Sequence, residues 1–171
     1  MVEELLIDMS FFSEIYDSPV GPLQLITDKN YLYFLKFYSS ENHINSIFFD
    51  KKIQEKPNQI INDTIIQLTE YFSGKRKIFD ISIKFLYGTK FQMNVWEKLR
   101  SIKYGETASY MDVAKLINNP RSYRAVGNAN NKNPISIIIP CHSIIANDGN
   151  LGGYGAGLKS KSFLLNLEST N

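Results

Sequence analysis

The stretch SYMDVAKLINNPRSYRAVGNANNKNP, residues 109–134, decides how this chain folds, because it holds two helix starts, a tight turn between them and a break at its end. Ser109 with Asp112 three residues on marks one start and predicts a short helix over YMDVAKLIN. After the turn NNP, Pro120 opens a second helix over RSYRAVGNANN, which Asn133-Pro134 breaks. Short helix, tight turn, second helix is the outline of a helix-turn-helix, although compact helical pairs also occur without DNA. The second helix offers the cations Arg121, Arg124 and Lys132, while Ala125, Gly127 and Ala129 keep it thin, so that a nucleic-acid backbone or minor-groove wall could approach. The other reading is tight helix packing, which has no use for three cations.

Upstream, Thr89 with Gln92 forms a capping-box pattern, and Phe91, Val95, Trp96, Leu99 and Ile102 supply the buried stripe of the helix that follows. Before Tyr87-Gly88 the period changes. FFSEIYDSPVGPLQLITDKNYLYFLKFYSS, residues 11–40, reads as three strands in a meander divided by SPVG and TDKN. NQIINDTIIQLTEYF places Ile61, Ile65, Leu68 and Phe72 on one helical face, and KIFDISIKFLYGT reads as a further strand. Strands followed by helices give an α+β (mixed α/β) class with domains over 1–86 and 87–171.

Downstream lies NPISIIIPCHSIIANDG, residues 133–149, with the only cysteine of the chain and a histidine directly after it. The five residues before Pro140 read as a buried strand that the proline must end, which would set Cys141 at a strand terminus. A glycine-rich loop follows, where backbone can fold over a ligand. A lone buried cysteine is ordinarily inert. In extended chain Cys141 and His142 would point to opposite faces, so a water between them is a more natural relay than direct contact. KSKSFLLNLEST reads as a helix burying Phe163, Leu164 and Leu167, with Glu168 in the last turn, where the macrodipole disfavours an acid. Glu168 is either solvated at a frayed end or compensated by His142, which would orient a base toward a nucleophile.

The 171 residues, 43% of them hydrophobic, suffice to fill a core. No apolar run is long enough to span a membrane, and MVEELLIDMS carries acids where an export signal carries lysines, so the expected compartment is the cytoplasm. One cysteine and two distant histidines give neither an internal disulfide nor a metal-ligand spacing. Residues 1–85 hold nine Lys/Arg against twelve Asp/Glu, and residues 86–171 hold ten against five. The excess of cations in the second half favours an anionic partner there, or forms a solvated surface.

PCHSIIANDGNLGGYGAGLKSKSFLLNLE resembles the active-site signature of the O6-alkylguanine-DNA alkyltransferases, P-C-H-R followed by a loop with G-Y-x-G-G and a helix ending in Glu. The likeness continues upstream through GTKFQMNVWEKLRSIKYGETASYMDVAKL and RAVGNANNKNP, and SPVGPLQLITDKNYLYFLKF is loosely similar to that family's ribonuclease-H-like N-terminal domain. The resemblance implies a monomeric DNA-repair protein without a cofactor. It would flip an O6-alkylguanine, with O4-alkylthymine as a second candidate substrate, out of double-stranded DNA and move the alkyl group irreversibly onto its own cysteine. It further implies Cys141 as acceptor, His142 and Glu168 as its relay, Asn133 as the tie between helix-turn-helix and active-site segment, and Tyr110 as proton donor toward the guanine ring. Arg124 would fill the gap in the base stack, Ala125 and Ala129 would face the minor groove, and Arg121 and Lys132 would meet phosphates. Tyr154, Gly155 and Ala156 would form the substrate loop.

Three positions depart from the family pattern: Ser143 stands for an Arg, Gly155 for a Ser, and Ala156 for the first of two glycines. At Gly155 only a backbone N–H could reach O6. A non-reactive damage-binding relative would lack the cysteine, and a Cys-His-Glu hydrolase would leave the helix-turn-helix unexplained.

Overall fold

The computed structural model describes residues 10–38, 48 and 51–171; the acidic N-terminal segment 1–9, the end of the third strand segment at 39–40 and His43 lie outside these. The chain divides into two compact units, Met1–Tyr87 and Gly88–Asn171.

In the first unit β1 (Phe11–Ser18), β2 (Gly21–Thr27) and β3 (Leu32–Phe37) form the expected antiparallel meander. A short β4 (Ile53–Gln54), which no sequence pattern announced, pairs parallel to β1 and gives the order β3-β2-β1-β4. Strand β2 lies inside the sheet, so Leu23–Thr27 are buried on both faces rather than alternating. The β2–β3 turn is fixed by Asp28, whose Oδ1 accepts the N–H groups of Asn30 and Tyr31 at 2.7 Å while Oδ2 accepts the Tyr33 hydroxyl at 2.8 Å. Phe11, Tyr33, Phe34 and Phe48 form a core with Ile26, and Ile53 and Leu86 lie against it.

Helix α1 (Gln59–Phe72) starts at Asn58, whose side chain caps Ile61 N–H and also donates to the Asp28 carbonyl at 2.7 Å. Its buried stripe runs through Ile61, Thr64, Leu68 and Tyr71, so the inward face is rotated from the expected one and Ile65 and Phe72 are half-buried at its edge. The expected strand over KIFDISIKFLYGT is not formed. That segment touches β3 through one parallel bridge, Leu32 to Ile83, because the next residues carry no further ladder bonds to Leu32's neighbours.

In the second unit α2 (Lys90–Leu99) begins with a complete Thr89/Gln92 capping box and buries Val95, Trp96 and Leu99. Gly88 lies directly over Trp96, where a Cβ would come within 2.6 Å of the indole, and its φ of +114° suits glycine. Helix α3 (Tyr110–Leu116) begins with a second capping box, Ser109/Asp112; a 3-10 turn over Pro120–Ser122 leads into α4 (Tyr123–Asn131). Strand β5 (Ala108–Ser109), just before α3, pairs parallel with β6 (Ile144–Ile145), just after the cysteine, and α5 (Leu158–Thr170) closes the unit. Among the described residues no helix is long and apolar enough to cross a membrane.

Candidate active site

The expected strand before Pro140 is replaced by a knot of turns, and the cause is Asn133. Its side chain, 1% exposed, accepts from Ile135 N–H at 2.9 Å and donates to the carbonyls of Ile135 at 3.2 Å and Ile139 at 3.0 Å. One amide that meets groups four residues apart cannot serve an extended chain, so the segment folds back, Ile139 N–H bonds the Ile135 carbonyl, and Ile137 is held at φ +72°. That conformation is costly for a β-branched residue and persists because its surroundings fix it. Cys141 N–H then bonds the Ile139 carbonyl at 2.7 Å, and Cys141–Ser143 form a 3-10 turn. Asn130, in the last turn of α4, donates to the Cys141 carbonyl at 3.3 Å. Two asparagines therefore tie the thiol's backbone to the end of the second helix.

His142 is fully buried, and its Nε2 shares a hydrogen bond of 2.7 Å with Oε1 of Glu168, itself 7% exposed. Glu168 is thus paired and not at a frayed end. His142 Nδ1 is buried and bonds no described residue, so of the two ring nitrogens Nε2 alone is engaged, by Glu168, among the described residues.

Around Cys141, which is 5% exposed, three ionisable side chains converge. The Tyr154 phenol is pushed well above its ordinary range by burial, then by the Cys141 charge and a hydrogen bond with Cys141, and least by Glu168. Tyr110 is raised by burial and by Cys141. Its ring passes between α4 and the loop: a Cβ on Gly127 would lie 3.6 Å from the ring, and one on Gly152, φ +64°, would lie 3.1 Å from the hydroxyl. The third group is Lys161, unforeseen in the sequence reading. It is wholly buried on α5 and donates to the carbonyls of Ile144, at 2.5 Å, and Leu151, thereby tying β6 to the loop. Burial lowers its pKa and the Cys141 charge opposes that.

Helix α5 accordingly buries Lys161, Leu164 and Glu168, whereas Phe163 is 40% exposed and Leu167 half-buried. The expected apolar stripe failed because the inward face carries two charges. Lys161, Leu164 and Glu168 do stand at spacings of three and four residues, and that was the available signal.

On the helix-turn-helix, Arg121, Arg124, Ala125 and Lys132 are exposed, and the Arg124 guanidinium lies 5.7 Å from the Tyr123 ring centroid. Ala129 does not line a groove. It is 1% exposed, because the last turn of α4 descends into the core, where the Ala129 carbonyl accepts the Trp96 indole N–H at 2.8 Å. Gly155 is exposed, with no atom within 4 Å of a Cβ built on it, and Ala156 is half-buried. Ser143 is fully buried and its hydroxyl bonds no described residue, so the Arg-to-Ser departure leaves a polar group in the core.

Two family models match, that of the 6-O-methylguanine DNA methyltransferase ribonuclease-like domain over residues 12–85 and that of its DNA binding domain over residues 90–170. A methylated-DNA--protein-cysteine methyltransferase of Methanosarcina barkeri is 43% identical over 94% of this chain and 98% of its own length. One from Haemophilus influenzae is 41% identical over 90% of this chain and 83% of its own. The crystal structure of Mycobacterium tuberculosis OGT in complex with DNA superposes with a TM-score of 0.83, at 38% identity over 93% of each chain.

Proposed function

The chain belongs to the 6-O-methylguanine DNA methyltransferase family, and from that premise we propose that it repairs double-stranded DNA by moving the alkyl group of O6-alkylguanine onto Sγ of Cys141, once per chain. The observation that carries this reading is the buried His142–Glu168 pair directly behind the one cysteine, in the unit that also holds the helix-turn-helix.

An ordinary thiol, with a pKa of about 8.5, is mostly protonated at neutral pH, so a base must take its proton. His142 accepts that proton at Nδ1 through a water, and Glu168 stabilises the resulting positive charge from the Nε2 side. The thiolate then attacks the alkyl carbon. A C–S bond forms, the C–O6 bond breaks, and its electron pair leaves with the guanine, which Tyr110 neutralises by donating its phenolic proton to the ring. Tyr110 suits a donor because burial and the neighbouring sulfur keep it protonated. Nothing in this sequence of steps cleaves the thioether, so the protein is consumed.

Arg124 holds the gap left by the flipped base, Ala125 lies against the minor groove, and Arg121 and Lys132 meet phosphates. Tyr154, Gly155 and Ala156 form the wall facing the flipped base. Residues 1–86 serve as the ribonuclease-H-like domain and 87–171 as the alkyltransferase and DNA-binding domain. A monomer suffices, since every proposed site residue lies in one chain, and a single thiol that must stay reduced suits the cytoplasm. Intact mass spectrometry after incubation with an O6-methylguanine duplex tests the proposal, with an O4-methylthymine duplex as a second substrate. A stable gain of one CH2 on the peptide holding Cys141 supports transfer; an unchanged mass with repaired DNA indicates hydrolysis and refutes it.

A further inference from the structure

Glu168 has a second partner besides histidine. Its Oε1 meets His142, while its Oε2 accepts the backbone N–H of Gly105 at 3.0 Å. Gly105 is the third residue of a turn closed by Glu106 N–H on the Lys103 carbonyl at 3.0 Å, and its φ is +77°. Tyr104 is not in the positive-φ region, so the turn is type II, in which the central peptide plane is flipped relative to the commoner type I. The flip decides which polar group faces the carboxylate. In type II it is the Gly105 N–H; in type I the Tyr104 carbonyl would turn there, setting acceptor against acceptor. A Cβ at 105 would also come within 3.0 Å of the Glu168 carbonyl oxygen.

We propose that Gly105 is a positioning residue of the transfer reaction: its N–H, presented by a turn that favours glycine, fixes the Glu168 carboxylate so that Oε1 remains on His142. The inference rests on the reading of Cys141 as the acceptor. Losing the donor lets the carboxylate rotate or take up a proton, and His142 then loses the charge that favours its accepting the thiol proton. The thiolate forms only at higher pH. The ionisable groups facing this chain of contacts are His142 from the 3-10 turn, Tyr104 from the same turn as Gly105, Tyr154 from the loop, Lys161 from α5 and Tyr110 from α3. Apart from its own chain neighbours, a Cβ at 105 would lie within 4 Å of the Glu168 backbone alone and of none of these side chains.

The test uses the full chain and iodoacetamide, whose iodide the Cys141 thiolate displaces without DNA. Rate against pH is measured for the wild type, Gly105→Ala, Glu168→Gln and the double variant. Gly105→Ala should move the midpoint upward by about one pH unit, the order expected when one charged partner is misplaced. Glu168→Gln should do the same, and the double variant should go no higher than Glu168→Gln alone. An unmoved midpoint in folded Gly105→Ala, or full additivity in the double variant, overturns the proposal. Should Gly105→Ala fail to fold, the amide proton of Gly105 decides by NMR: Glu168→Gln should shift it upfield as the charge-assisted bond is lost, and an unshifted proton overturns the proposal. Wild-type transfer from an O6-methylguanine duplex is measured alongside. Absent transfer with the expected midpoints refutes the acceptor reading and supports the turn; transfer with unmoved midpoints does the reverse.

Discussion

Tyr110 and Tyr154 both stay protonated beside Cys141, for burial first and the charge of the sulfur second. At the scale of single residues the question is which phenol serves the leaving guanine, and Tyr154, pushed well above its ordinary range chiefly by burial, is the weaker acid of the two. Tyr110→Phe should therefore slow single-turnover transfer by at least about a hundredfold, the lower end of what general acid catalysis contributes. Gly155→Ser should recover part of that loss in the Tyr110→Phe background, and space permits the test, since nothing lies within 4 Å of a Cβ there. A Tyr110→Phe chain that repairs at the wild-type rate removes the phenol from the mechanism. Lys161→Met should destabilise the fold by about 1–3 kcal/mol per carbonyl left unpaired, and slow transfer because the loop is released at Leu151. Denaturant unfolding and single-turnover rates measure the two effects. Cys141 and His142 were legible because the chain has one cysteine and two histidines, and Glu168 because an acid in a helix's last turn calls for a compensating partner. Lys161 and Gly105 were not: a lysine in a half with an excess of cations reads as solvated surface, and a backbone N–H has no side chain to announce it.

At the scale of elements, the two capping boxes at Thr89/Gln92 and Ser109/Asp112 were readable because caps are local chemistry. The second has an acid-side signature. Ser109 hydrogen bonds hold Asp112 below its ordinary 3.8, so its contribution to α3 is fully present above that value and is lost as pH falls through the lowered folded value. Ser109→Ala should cost about 1 kcal/mol near neutrality and flatten the loss in acid, as thermal melts across pH would record. On α4, neutralising Arg121 or Lys132 should each remove about one unit of the log–log salt slope of DNA binding if it meets a phosphate. Unchanged slopes refute both assignments. Arg124→Ala should slow repair more than it weakens binding, because filling a gap in the base stack differs from neutralising phosphate.

For the whole molecule, the expected outcome is one alkyl group per chain with no turnover, and Cys141→Ser should abolish transfer while DNA affinity persists; product in excess of protein would defeat the single-turnover reading. The sequence by itself determined the three-stranded meander, the helices and their starts, the helix-turn-helix outline and the residue types able to activate a thiol. These depend on neighbours three or four places apart, or on alternation, both of which a linear chain records. The tertiary structure decided what depends on distant neighbours. It folded ISIII into turns because one buried asparagine amide outbids a strand ladder that has no partner, and it turned Ala129, in the last turn of α4, into the core, where its carbonyl accepts the Trp96 indole N–H. It also gave α5 a charged inward face, since Lys161 and Glu168 find their hydrogen bonds at Ile144, Leu151, His142 and Gly105, none of them within its own helix.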